Sequence, residues 1–589
     1  MGGHLHGVIT DDLPFVLLDD ARPGGIARLY RAPSRIVLAE AAPDLAGVLA
    51  AIGDAGGRHA AGFLSYEAGA AFEPRLAPLS REAPGLPLAW FGLFESCETI
   101  TDVAAWLPDS AGAWVSAPEP GIDKTDYDAA FDRVEAWIAA GDLYQANLTF
   151  RAQVRTAGHP LALYAAIRRR AAAGWGGLVW TGDDWLLSFS PELFFRIDAG
   201  TITARPMKGT VRRGATLAED AALSETLVTD AKQRAENLMI VDLMRNDLTR
   251  IAAPGSVAVP ELFRVESYPS IHQMTSTVTA TLAQGLGAAD VLTAIFPCGS
   301  VTGAPKIRAM EAIHAVEPPR GVYTGSIGAI APNGDADFNV AIRTLHLKPG
   351  ADSAMLGLGS GIVADSRSAD EWDECRAKGD FLTLGQHTPD LIETMAFDPE
   401  RGVLRLDRHL ARLKSSARAF CIPFDRHHAG NELQAATFRL RSARKVRLLV
   451  SASGAIAIET GRLPTAPTGA VVVRIVPLPV DPRDFRLRHK TADRGFYDGA
   501  RHAAGCAEVV FARVDGRLTE GSFTNLFVER GGVLVTPPLA LGLLPGILRA
   551  ELLESGRAIE GDLVATDLSF PFFVGNALRG LLRAVAVAE

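Results

Sequence analysis

Two hydrophobic periodicities follow one another along this chain. The opening reads as strands: Gly62-Phe-Leu-Ser-Tyr-Glu67 and Leu88-Ala-Trp-Phe-Gly-Leu-Phe94 are strand-like alternations. Helical spacing then takes over, with apolar positions recurring every three or four residues at about 125–141, 217–246, 305–316 and 369–382. A Ser/Ala/Gly/Pro-rich stretch from Pro108 to Gly121 and the string Leu384-Gly-Gln-His-Thr-Pro389 punctuate the pattern. After the second break the pattern predicts a helix at about 406–420 and strands at about 445–459, 470–477, 507–513 and 518–529. A helix near 546–556 follows. Asp515-Gly516 between the last two strands is a hairpin turn. Strands with segregated helices predict an α+β fold rather than a βαβ repeat. The expected division is 1–384, a linker at 385–390, and 391–589.

At 589 residues the chain is too long for one core. It is 48% apolar and 22% charged with net charge −9, and no basic stripe interleaved with aromatics appears. That excludes a nucleic-acid partner as the expectation. Met1 to Asp20 carries Asp11-Asp12 and no basic segment before an apolar run, so no signal peptide is expected. No apolar run reaches the ~18 residues a membrane span needs. The five cysteines, scattered without a C-x-x-C pair, suggest reduced thiols in a cytoplasmic protein.

Candidate chemistry changes the picture. Lys208 stands in Arg205-Pro-Met-Lys208-Gly209-Thr210, with Arg212 and Arg213 close behind. Like charges and burial favour its neutral form, and a neutral amine is a nucleophile. The competing reading is a solvated basic loop. Glu192 enters an apolar strand after Pro191, so it needs a partner or a task. Glu236 lies on a helix, and Glu371 and Glu374 share one face of another. Oxygen ligands from two helices suit Mg²⁺, although Glu374 is also placed for an i,i+4 pair with Lys378. Gly299-Ser-Val-Thr-Gly303-Ala-Pro-Lys306 puts a glycine turn before a helix with Pro305 at its first position, where free amides bind anions. Gly357-Leu-Gly359-Ser-Gly361 is a second loop of close approach. Arg343 ends the apolar strand Phe338–Arg343, and arginine pairs bidentately with carboxylates.

Five separated motifs together resemble the chorismate-utilising family of anthranilate, isochorismate, salicylate and aminodeoxychorismate synthases. They are Ser190-Pro-Glu192, Asp242-Leu-Met-Arg-Asn-Asp247, Gly299 to Met310, Asp337 to Arg343, and Gly359 to Lys378. The resemblance covers about 1–384 and implies a chorismate-binding two-sheet β-sandwich surrounded by helices. It implies Glu236 and Glu374 as Mg²⁺ ligands with Glu371 at or near the metal. Arg343, Tyr323 and the amides near Gly303 and Gly359 would hold the substrate carboxylates, and Lys378, in the last motif, would be a further substrate-binding residue. Glu192 and His272 fall where the family has proton-transfer residues. Members that hydrate chorismate have a lysine base in the motif that here reads Gly141-Asp-Leu-Tyr-Gln145-Ala-Asn147, and Gln145 cannot take a proton. Anthranilate synthases have alanine where Lys208 stands, and aminodeoxychorismate synthases have the lysine. No cysteine sits in the turn a glutaminase needs, so a glutamine amidotransferase subunit in trans, or free ammonia, is expected.

Past the second break, Lys490 is isolated in Arg486-Leu-Arg-His-Lys490-Thr, and Glu520 lies between strands in Leu518-Thr-Glu520-Gly-Ser-Phe-Thr-Asn525. Arg412 is on a helix, and Leu544-Pro-Gly546-Ile-Leu-Arg549 opens another with its amides free. These are the parts a pyridoxal 5′-phosphate (PLP) enzyme needs. Singly, each also reads as a surface arginine, a solvated lysine or a cross-strand ion pair. Their order resembles the fold-type IV PLP enzymes, branched-chain and D-amino-acid aminotransferases and aminodeoxychorismate lyases. That implies Lys490 as the cofactor lysine, Glu520 on the ring nitrogen, and Arg412 with the amides of Ile547 and Leu548 on the phosphate. It also implies a smaller α+β domain and a homodimer through it. Leu548 replaces a threonine common in that family, and the segment starts well inside the usual first strands. The fusion implies a bifunctional enzyme making 4-aminobenzoate for folate. Alternatives are a synthase joined to an aminotransferase, or to a degenerate domain that docks a partner.

Overall fold

The computed structural model describes residues 13–83, 85–267 and 271–587. The reading of the amino terminus rests largely on Met1–Asp12, which lie outside the described residues. Two compact units form. One takes the described residues up to Leu107 with Ala117–Val154 and Tyr164–Leu384; the other takes Pro108–Ser116, Arg155–Leu163 and Gly385 onward.

The first unit is built on two mostly antiparallel sheets. One runs through Gln145–Ala157, Ser353–Ile362, Thr344–Leu347, Trp185–Ser188, Gly176–Trp180, Phe15–Asp19 and Ala27–Arg31. The other runs through Met207–Arg212, Ile271–Thr281, Thr201–Arg205, Leu193–Asp198, Ala336–Asn339, Ser326–Ile330, His59–Leu64, Ala89–Phe94 and Arg35–Ala39. Val16, Tyr30, Val179 and Leu186 of the first meet Phe63, Phe91, Phe195 and Phe338 of the second in one buried core. Ile240, Met244 and Leu248 of the helix Ala231–Thr249 join it. Continuous apolar runs such as Ala89–Phe94 are strands because both of their faces are covered, and all six residues there are buried.

The helix expected over 217–246 is two helices, Leu217–Thr229 and Ala231–Thr249. Asp230 leaves helical geometry and caps the second by accepting a hydrogen bond from the Gln233 amide, 2.8 Å. The strand expected to reach Arg343 stops at Asn339, and Arg343 turns out of line with φ 50°. Pro305 is the N-cap of Lys306–Val316 rather than its first residue.

In the second unit Leu391–Asp398, Arg444–Val450 and Ile456–Arg462 pair antiparallel. One face of this sheet, carrying Leu391, Met395, Val446, Leu448 and Val450, packs on the helices Leu406–Ala419 and Arg426–Thr437 through Leu410, Leu413, Ala429 and Leu433. A larger mixed sheet follows: Leu518–Gly521, Glu508–Ala512, Val471–Pro477, Gly580–Ala586, Phe572–Asn576, Asn525–Arg530, Val533–Thr536 and Ala558–Glu560. An added Glu520–Asn525 pairing curls it back on itself. Gly516 forms the expected hairpin turn with φ 80°. Residues 385–390 are irregular; Gln386 exchanges hydrogen bonds with the Val115 backbone, and the Trp114 indole donates to Thr388. Among the described residues no helix is long and apolar enough to cross a membrane.

Candidate active sites

Lys208 projects from the strand Met207–Arg212, which lies against the helix Ala231–Thr249 and is tied to it where the Asn237 side chain donates to the Lys208 carbonyl, 3.2 Å. Burial lowers the Lys208 pKa first, and Lys378 lowers it further, while Glu236, Glu374 and Glu192 oppose them. The like charge therefore comes from Lys378, not from the neighbouring arginines. Arg205 is paired with Glu266, Arg213 with Asp220, and Arg212 is exposed. Each has its own outlet for charge, whereas Lys378 arrives from a helix 170 residues away in sequence.

Glu192 is buried at the mouth of the strand Leu193–Asp198, accepting a hydrogen bond from Ser300, 2.6 Å. Burial pushes its carboxyl up to about 7, against the pull of Ser300, Lys208 and Lys378. Glu236 is likewise raised, by burial first; Lys208 and Lys232 oppose, and Glu374 and Glu371 add repulsion. Glu374 is held by Lys378 at 2.8 Å, the i,i+4 pair, and its pKa is lowered because Lys378, Lys208 and Lys232 outweigh burial. Glu371 accepts from Ser366, 2.6 Å. Among the described residues no group of three metal-binding side chains stands ready-made. Yet Glu236 and Glu374 are carboxylates whose mutual repulsion a cation would relieve, and Mg²⁺ commonly takes one or two carboxylates and completes its shell from substrate and water. The donor set fits that ion.

Gln145 opens the strand Gln145–Ala157, is fully buried, and both atoms of its amide lack a hydrogen-bond partner. A methyl group built on Gly361 would lie 2.8 Å from that amide nitrogen and 3.0 Å from Lys208 Nζ, so glycine is what lets both approach. Gly303, at φ 144°, pairs with Ala146 and leaves no room for a side chain beside the Gln145 carbonyl. Gly359 lies against Thr149 within the strand Ser353–Ile362, and its carbonyl accepts from Lys378, 2.9 Å. Gly357 is filled by the ring of buried Tyr323. The guanidinium of Arg343 lies 5.6 Å over the Phe381 ring. His272 engages Asp220 and Ser267, each at 2.9 Å, through its two ring nitrogens. It is thus engaged with the Asp220–Arg213 pair, on the strand that neighbours Met207–Arg212.

A buried clamp that sequence reasoning missed positions this wall. Arg320 binds Glu317 at 2.8 Å and donates to the Asn147 carbonyl, while Glu317 accepts from the Thr149 amide and hydroxyl. The pair fixes Gln145–Ala157 against the turn holding Tyr323. An acid three residues from an arginine around Pro318-Pro319 was the available signal.

In the second unit, Lys490 and Glu520 line one cavity of about 940 Å³, counting its open mouth, with Arg412, Arg494, Asn525, Gly546 and Ile547. Burial, then Arg494 and Arg412, bring the Lys490 ammonium down to about 7, against Glu393 and Glu520. Burial lifts Glu520 to about 7 although Tyr497, at 2.6 Å, and the Leu544 amide, at 3.1 Å, hydrogen-bond it. Ile547–Glu554 has no side-chain cap, so its first amides face the cavity end; Gly546 is required because Asn525 fills the space of a side chain there. Leu548 turns instead into an apolar cluster with Phe527 and Leu552.

Arg412 has a further partner that the sequence did not reveal. Its Nε and Nη2 bind the buried Glu393 at 2.8 and 2.7 Å, and its Nη1 donates to the Pro545 carbonyl at 3.0 Å. His409 also binds Glu393, 2.6 Å. Glu508, fully buried, accepts from Ser522 and Thr524 and shapes the loop after Glu520. An acid inside an apolar strand was the sign of each. The residues present suit PLP: an amine of lowered pKa, an acid for a ring nitrogen, and open helix amides for a phosphate.

Residues 35–384 match the family described as chorismate binding enzyme, and residues 390–587 match amino-transferase class IV. Over 260 residues the chain is 43% identical to aminodeoxychorismate synthase component 1 of Salmonella typhimurium, covering 44% of this chain and 57% of that relative. It is 45% identical over 309 residues to aminodeoxychorismate synthase of Streptomyces griseus, covering 51% and 42%. The chain thus spans about half the length of the curated relatives it matches. The solved structure of anthranilate synthase component I from Streptococcus pneumoniae is 26% identical with a TM-score of 0.53, over 65% of this chain and 95% of that one. With more than half its length inside that first match, the chain belongs to the chorismate-binding enzymes, and an amino-transferase class IV segment follows in the same polypeptide.

Proposed function

We propose that the protein makes 4-aminobenzoate from chorismate and ammonia in two steps, one in each unit. The observation that carries the reading is an amine of lowered pKa and a carboxyl raised to about 7 sharing one site in which Gln145 offers no base. Neutral Lys208 attacks C2 of the ring, the double bonds shift, and the 4-hydroxyl departs with the proton of Glu192. Ammonia then adds at C4 as the bond to Lys208 breaks, which returns the lysine and gives aminodeoxychorismate plus water. Glu236 and Glu374 would hold Mg²⁺, which would supply positive charge to screen the dianion. Arg343 and Tyr323, with the amides near Gly303, hold the carboxylates, and Lys378 adds positive charge. The curated relatives named as component 1 support a separate glutaminase subunit as the ammonia source.

In the second unit PLP would supply the electron sink for bond breaking next to the substrate nitrogen. Glu520 holds a proton at the ring nitrogen. Lys490, half neutral near pH 7, takes a proton from the substrate ring carbon and returns one to the departing enolpyruvyl group, which leaves as pyruvate. Incubating the full chain with chorismate, ammonia, Mg²⁺ and PLP tests the proposal. Stoichiometric 4-aminobenzoate and pyruvate are expected. Transamination of a keto acid without pyruvate release would overturn the second step.

A further inference from the structure

The cavity of the second unit is lined by more positive charge than a cofactor phosphate needs. Five cations face it: Arg412, Lys445, Lys490, Arg494 and Arg579. Three have assigned partners or tasks. Arg412 is bidentate on Glu393, and Arg494 donates to the Ser522 carbonyl at 2.6 Å while lying 4.5 Å over Tyr497. Lys490 is the buried amine facing Glu520 in the same cavity. Among the described residues, no hydrogen bond or ion pair ties the Lys445 ammonium or the Arg579 guanidinium.

The strand pattern explains how Lys445 reaches the cavity. Val446, Leu448 and Val450 point into the helix-packed core, so Lys445 lies on the opposite face, cross-strand from Ala396 and from Gly461. Thr394, two residues from Ala396, lines the same cavity. Arg579 sits at the rim with its guanidinium 5.4 Å over the Phe523 ring. A half-buried ammonium and a rim guanidinium over an aromatic face, neither neutralised by the protein, suit a ring that carries two carboxylates.

We propose that Lys445 and Arg579 bind the two carboxylates of a cyclic dianion in this cavity, with Phe523 against its ring, and so select such a substrate over a monocarboxylic amino acid. The inference deepens the two-step reading and rests on it. The test uses the full-length holoenzyme in a Lys208→Ala background without ammonia, titrated with chorismate, a dianion that lacks the amine. Binding is read from the cofactor absorbance near ~400 nm. Lys445→Ala and Arg579→Ala should each weaken chorismate about tenfold or more, the loss of one charge-assisted contact. Benzoate, a monoanion, should lose at most a few fold in either variant, and Lys445→Arg should restore dianion binding. Equal chorismate affinity in wild type and both variants, or an equal loss for benzoate, overturns the assignment. If these variants behave as wild type while aminodeoxychorismate still yields pyruvate, the subsite fails and the two-step reading stands. If wild type yields no pyruvate, the two-step reading itself fails.

Discussion

Glu393→Gln in the second unit is the most quantitative consequence of the structure. Glu393 is 1% exposed and accepts from Arg412 twice and from His409 once. Burial raises its pKa, but Arg412 and His409 outweigh that and hold the carboxyl at about 2, against an ordinary 4.5. The difference corresponds to ~3 kcal/mol favouring the folded ion pair. Glutamine keeps the shape and one acceptor but leaves the Arg412 charge without its counterpart, an uncompensated charge worth about 3–5 kcal/mol in comparable sites. For a unit of this size ~3 kcal/mol lowers Tm by about 6–12 °C. The melt is followed at the cofactor band, which reports the second unit alone. A carboxyl whose folded pKa is depressed contributes its full stability above the unfolded value and loses it as pH falls toward the folded one. The gap between wild type and variant should therefore be complete at pH 7, shrink below about 4.5, and close near 2. A gap under about 2 °C at pH 7, or one that persists unchanged into acid, would refute the assignment of Glu393 as the counter-charge of Arg412.

Glu192→Gln should slow aminodeoxychorismate formation about 10²–10⁴-fold and lack the fall in rate expected of the wild type above pH 7 as its carboxyl ionises, a pH–rate profile being the check. Lys490→Ala should abolish the band near ~400 nm and let aminodeoxychorismate accumulate, detected by chromatography. Without cofactor, neutral Lys490 makes the second unit gain stability as pH rises from about 7 toward 10.5, since only the unfolded chain holds that proton there. Denaturant melts of Lys490→Met should lack that rise. Gly357→Ala should lower the melting temperature of the first unit and raise the KM for chorismate, because the new methyl collides with the Tyr323 ring.

Local chemistry was legible in the sequence where a residue's neighbours in the chain are also its neighbours in space. The Glu374–Lys378 pair, the Asp515-Gly516 turn and the helix openings at Lys306 and Ile547 are of that kind. Misreadings arose where distant elements decide. The arginines around Lys208 looked like its environment, but Arg205 and Arg213 are drawn to Glu266 and Asp220, Arg212 is exposed, and the decisive charge comes from Lys378 at the end of the helix Ser368–Ala377. His272 keeps its place as a candidate, and its contact with Asp220 from a neighbouring helix was not visible in the sequence. The break at Asp230 was hidden because helical spacing runs through it on both sides. Glu393 and Glu508 were overlooked because a buried acid is informative only once its partners are placed.

The central claim is that the amine of Lys208 bonds to the substrate ring. It is tested most directly by quenching the full chain with chorismate and Mg²⁺ in the absence of ammonia, then digesting it and weighing the peptides. The account predicts a peptide containing Lys208 that is heavier by chorismate less one water, lost on adding ammonia and absent from Lys208→Ala. An unmodified Lys208 peptide, together with full ammonia-dependent amination by Lys208→Ala, would contradict it.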